Sequence, residues 1–103
     1  MDIRIEKTDR AIEKAFMELR ARQPLEKIRI KDLCTLAKVN KSTFYAHYED
    51  IYELSSRLEN KLIHVILDSV PNVGLTAAHT EQLIRELFHA FVQNQEAVNI
   101  LFS

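Results

Sequence analysis

The chain is expected to be all-α: three short helices, a long connector helix, and the first part of a further helical body. Three observations predict this. The 103 residues contain one Gly and two Pro, so breakers are too sparse for a turn-rich sheet protein. Apolar residues recur at i, i+3, i+4 and i+7 in several windows, the period of an amphipathic helix. Only Asp2 to Ile5 alternates, too short a run to found a sheet.

The first helix is expected from about Thr8 to about Arg22. Ile12, Ala15, Phe16 and Leu19 make one apolar stripe, with Arg10, Lys14, Arg20 and Arg22 mostly off it. Pro24 stops it, because proline has no amide donor and clashes with the preceding turn. Leu25 and Ile28 are expected to plug the core from the link. A second helix runs from about Lys31 to Ala37 with Leu33, Leu36 and Ala37 inward. Lys38-Val39-Asn40 is the turn. Asn40 then caps a third helix, about Lys41 to Tyr48, by accepting from the Thr43 amide. Phe44 and Tyr48, one turn apart, are its buried side.

Asp50 and Glu53 predict an acidic capping box at the start of a fourth helix reaching about Val70. Ile51, Leu54, Leu58, Leu62 and Val65 form one stripe, and Ile63, Leu67 and Val70 a second. That helix is therefore expected half-exposed at first and buried nearly all round later. Pro71-Asn72-Val73-Gly74 breaks the chain. A fifth helix is expected over about Thr80 to Gln93, with Leu83, Ile84, Leu87, Phe88, Phe91 and Val92 on half its circumference. Gln95 to Phe102 opens a sixth.

Charge divides the chain. Residues 1–48 hold 11 Lys and Arg against 7 Asp and Glu, and residues 49–103 hold 3 against 8. The basic half suits a polyanion. No stretch approaches the roughly 18 to 20 apolar residues that span a bilayer, so no membrane partner is expected. The N-terminal MDIRIEKTDR lacks a signal peptide's apolar core, and one cysteine permits no internal disulfide. A cytoplasmic location is the expectation.

The segment from Ile30 to Leu54 carries the most specific chemistry. Two short helices joined by three residues fit a module whose second helix enters the DNA major groove. With Phe44 and Tyr48 inward, Ser42, Thr43, Tyr45 and Ala46 point away from the core, flanked by Lys41 and His47. Hydroxyls and Lys suit phosphates, and Ala or a Thr methyl packs on a thymine methyl.

The run TFYAHYEDIYEL, residues 43–54, resembles the signature of the TetR family of one-component bacterial transcription regulators. The resemblance covers Thr8 to about Leu54, and the later helices in length and pattern only. It implies a homeodomain-like helix-turn-helix head in residues 1–50, with the connector and the start of a regulatory and dimerisation domain in 51–103. It implies that Lys41, Ser42, Thr43 and Tyr45 face bases and phosphates, that His47 touches a phosphate, and that Ala37, Val39, Phe44 and Tyr48 are structural. The implied partner is double-stranded DNA with a palindromic operator. A homodimer at full length and a small-molecule effector of unknown identity are implied as well, with no cofactor.

Three positions depart from the family. Arg29 stands where Thr or Ser caps the second helix, forfeiting about 1 kcal/mol, and is expected as a phosphate contact instead, with Lys31. Lys38 stands where the turn has Gly, so either it accepts a left-handed conformation or the turn differs slightly. Ile51 replaces a Lys that anchors a phosphate. Family members are also about twice as long, so the chain is expected to be the N-terminal portion of a regulator.

Sequence-specific DNA binding in transcriptional control, most of all repression, is therefore the expected function. The competing reading is a protein-interaction module that pairs with other subunits or with an enzyme. Each residue also has a plainer role: Tyr45 as a surface aromatic, His47 as a solvated histidine, Lys7 and Arg10 as a solvated face. His64, His79 and His89 lack zinc-ligand spacing. Cys34 beside Leu33 reads as a packed or half-buried thiol. Ser42 and Ser56 have no visible histidine–acid partners, and an enzyme is not expected. Phe88, Phe91 and Phe102 are expected in core packing, with pocket lining as the alternative.

Overall fold

A computed structural model describes residues 3–70 and 77–103, with Ala77 and Ala78 described by backbone alone. Six α-helices follow in order: α1 (Ile3–Arg20), α2 (Ile30–Ala37), α3 (Lys41–His47), α4 (Ile51–Asp68), α5 (Ala77–Gln93) and α6 (Gln95–Leu101). A 3-10 turn, Leu25–Lys27, joins α1 to α2. The described residues contain no strand. The chain forms two compact units, Met1–Leu58 and Glu59–Ser103, so the boundary falls inside α4. No helix among the described residues is long and apolar enough to cross a membrane.

In the first unit α1 packs on α2, and α2 on α3. Its core holds Ile12, Phe16, Leu33, Phe44 and Leu54 fully buried. α1 starts at Ile3, five residues before the expected Thr8. No breaker intervenes, and an Arg10–Glu6 pair at 3.5 Å supports the opening turns. α1 ends at Arg20, where the amides of Arg22 and Gln23 both donate to Leu19 O before Pro24 forces extended backbone. Ile28 is buried as expected, but Leu25 only partly.

α2 buries Leu33, Cys34 and Ala37. Leu36, expected inward, is 44% exposed. At 100° per residue it lies well outside the arc those three share. α2 closes in a left-handed turn. Lys38 has φ 61°, its amide donates to Thr35 O, and the Val39 amide donates to Cys34 O. This is a Schellman closure built on a lysine.

α3 and α4 begin on side-chain caps. The Thr43 amide donates to Asn40 Oδ1 at 2.8 Å, and the Glu53 amide to Asp50 Oδ1 at 2.8 Å. The Glu53 carboxylate accepts from the Glu49 amide, one residue before the cap. Phe44 and Tyr48 are buried side by side, rings 5.6 Å apart.

In the second unit α5 packs on α6. Leu62 and Ile66 are buried on α4, whereas Val65 is 49% exposed. The stripe continues at i+4, not i+3. Ile63 and Leu67 are also exposed, so the expectation of burial all round α4 is corrected. On α5, Ala90 is buried and Leu83 and Leu87 half-buried, while Ile84, Phe88, Phe91 and Val92 form an exposed stripe. The apolar arc of α5 is wider than its neighbours cover. The expected core role of Phe88, Phe91 and Phe102 is likewise corrected, since all three are about half exposed or more. The expected break at residues 71–74 lies outside the described residues.

Candidate nucleic-acid interface

The burial of Phe44 and Tyr48 fixes which way α3 faces. Lys41, Ser42, Tyr45 and Ala46 are exposed, and Thr43 is half-buried. The Tyr45 ring meets Phe44 edge-on, centroids 5.4 Å apart at 85°, which steadies its base while the ring remains 53% exposed. The Ser42 hydroxyl donates to Asn40 Oδ1 at 2.9 Å, the same oxygen that caps Thr43. Its proton is committed to the cap, so Ser42 offers outward mainly an acceptor.

Arg29 and Lys31 from the start of α2 and Lys41 from the start of α3 line one open groove of about 480 Å³. Tyr52 and two carboxylates, Glu26 and Asp50, share its walls. None of the three cations has a salt-bridge partner among the described residues, whereas Arg10, Arg57 and Arg85 each pair with a glutamate one turn earlier. Arg29 precedes α2 in extended backbone and gives no side-chain cap, so the first amides of α2 are left without one. Unpaired cations beside uncapped amides suit an oxyanion. Ile51, the residue after the Asp50 cap, is a core residue at 6% exposure.

His47 is held within the head at one ring nitrogen. Its Nδ1 lies 2.6 Å from Asp9 Oδ1, tying the end of α3 to α1, and its side chain is 17% exposed. The Tyr48 hydroxyl donates to the same oxygen at 3.4 Å, and the Arg57 guanidinium sits 4.9 Å from the Tyr48 ring centroid. Burial first, then the negative charges of Asp9 and Glu13, push the Tyr48 hydroxyl up to about 12, with Arg57 opposing. Burial also raises the Cys34 thiol, against the pull of Lys41. That is the environment of a packed thiol, not of a reactive thiolate.

Sequence reading missed Asp9 and Tyr52. Asp9 reaches its partner across 38 residues, which no local spacing signals. Tyr52 falls two residues after a cap, a position that reads as ordinary helix surface. Lys7 and Arg10 are absent from the groove lining. No group of three His, Cys, Asp or Glu capable of holding a metal occurs among the described residues. In the second unit Ile63, Leu67, Leu87, Phe91 and Phe102 line an apolar groove of about 530 Å³; Phe88 stands outside it. No protein-family model matches the chain, and neither a curated protein nor a solved structure was found to match it.

Proposed function

We propose that the chain binds double-stranded DNA in a sequence-specific manner and acts in transcriptional regulation, as the head of a TetR-like repressor whose intact form answers to a small molecule. The observation that carries this reading is the split of α3. Its aromatic side is buried, and its outward side is polar and small, beside three cations that have no salt-bridge partner among the described residues, in a groove that Glu26 and Asp50 also line.

In this reading α3 lies in the major groove. Lys41, Ser42 and Tyr45 approach base edges, and Thr43 approaches the backbone. Arg29 and Lys31 straddle a phosphate at the start of α2, with Lys41 reaching the same strand. An acceptor at Ser42 favours a base that presents an amino group, cytosine N4 or adenine N6. A palindromic operator requires a two-fold dimer with the two α3 helices about 34 Å apart.

The test is a titration of the chain against duplex DNA from its own upstream region at several salt concentrations. Log K should fall steeply with log salt. Lys41→Ala and Tyr45→Ala should each weaken binding by about 1–3 kcal/mol. Unchanged affinity in both variants defeats the site assignment. The exposed stripe Ile84, Phe88, Phe91 and Val92 favours a second reading, an interaction module that pairs with another subunit or an enzyme. Such pairing is apolar, so its affinity should stay flat or rise with salt.

A further inference from the structure

We propose that Asp9 of α1 is a positioning residue for DNA: it holds the His47 ring so that Nε2–H is presented to a backbone phosphate, and binding takes up a proton there. This rests on the DNA-binding reading above and adds to it a second helix and a protonation step.

The geometry begins with the His47–Asp9 contact of 2.6 Å. A carboxylate only accepts, so Nδ1 is the donor. Nε2 has no hydrogen-bond partner among the described residues. It is not sealed off either, since no partnerless side-chain nitrogen or oxygen is buried there. The ring therefore has one nitrogen anchored to α1 and the other reaching solvent at the end of α3, the helix proposed to lie in the groove.

The chemistry then turns on protonation. With Nδ1–H given to Asp9, a neutral ring carries a lone pair on Nε2, which a phosphate oxygen repels. Only the imidazolium donates from both nitrogens at once. A phosphate oxygen at Nε2 is therefore held only by the imidazolium, which His47 presents from the last turn of α3. Glu13 from α1 and Arg57 from α4 act on the neighbouring Tyr48, whose hydroxyl shares Asp9 Oδ1. The proton comes from solvent when DNA binds and returns to it on release.

If Asp9 were merely a carboxylate near DNA, its removal would relieve repulsion and tighten binding. A positioning role gives the opposite sign. The full chain should be titrated with a labelled mixed-sequence duplex at low salt, because a phosphate contact needs no operator. Between about pH 5.5 and 8.5, where imidazole changes charge, affinity should fall about tenfold as pH rises. Asp9→Ala should bind several-fold more weakly at the acid end, and Asp9→Asn, which keeps an acceptor, should recover part of the loss. His47→Gln donates a hydrogen bond without taking up a proton and should flatten the pH profile. In that background Asp9→Ala should have no further effect.

A parent profile that is flat with pH, or an Asp9→Ala variant that folds and binds as tightly as the parent or tighter, overturns the proposal. Circular dichroism identifies a variant that fails to fold, and the parent and His47→Gln profiles then decide. Salt-sensitive but pH-flat binding defeats this proposal alone. No duplex binding at any pH defeats it together with the DNA-binding reading.

Discussion

Tyr48 has a ring that belongs to the core and a hydroxyl that belongs to the polar contact between α1 and α3. The folded chain holds its proton more tightly than an unfolded chain, whose tyrosines ionise near pH ~10. That contribution to stability is complete below the unfolded value and is lost as pH rises through about 12. An absorbance titration should therefore show one tyrosine ionising late and together with loss of helix; three tyrosines ionising alike before any unfolding would contradict it. Phe44 tests the other half of the same contact. It is fully buried, and Phe44→Ala should destabilise the first unit by about 3–5 kcal/mol in a denaturant melt. Both residues were legible in the sequence, because a one-turn spacing of aromatics on a short helix leaves few other burial patterns. Asp9 was not, since nothing near it in sequence marks its partner.

At the scale of the elements, two helix ends break ordinary capping rules, and the two breaks differ in kind. Lys38 occupies a left-handed conformation that favours glycine. Lys38→Gly should raise stability by about 1 kcal/mol in thermal unfolding, since relief of the left-handed strain outweighs the freedom glycine adds to the unfolded chain. A drop in the melting temperature would show that the lysine side chain contributes something the backbone does not reveal. Arg29 leaves the start of α2 without a side-chain cap. Arg29→Ser should gain about 1 kcal/mol of stability while weakening DNA binding. That pairing of opposite signs separates a cation kept for a ligand from one that is only tolerated. Asn40 and Asp50 needed no correction, because a short polar side chain just before an apolar run has one favourable use. Helix starts fared worse: α1 extends five residues earlier than its apolar stripe indicates, since exposed turns need only good helix formers and an ion pair.

For the whole molecule, the lopsided charge gives the first 48 residues a net positive balance and the remainder a negative one. Duplex binding should accordingly show a log K–log salt slope of several units, near −0.9 per phosphate contact, and Lys41→Ala should reduce its magnitude by about one. A slope near zero would favour the apolar pairing reading. The sequence by itself determined that the chain is helical, where α2, α3 and the caps lie, and which side of α3 is aromatic. These follow from period, breakers and capping chemistry, all local in sequence. Only the tertiary structure decided which of the apolar stripes on α4 and α5 are covered, for a stripe announces that it can be buried and not what lies against it. It alone gathered Arg29, Lys31 and Lys41 around one groove and set His47 against Asp9. Such contacts are made by the packing of helices distant in sequence, and local spacing carries no record of them.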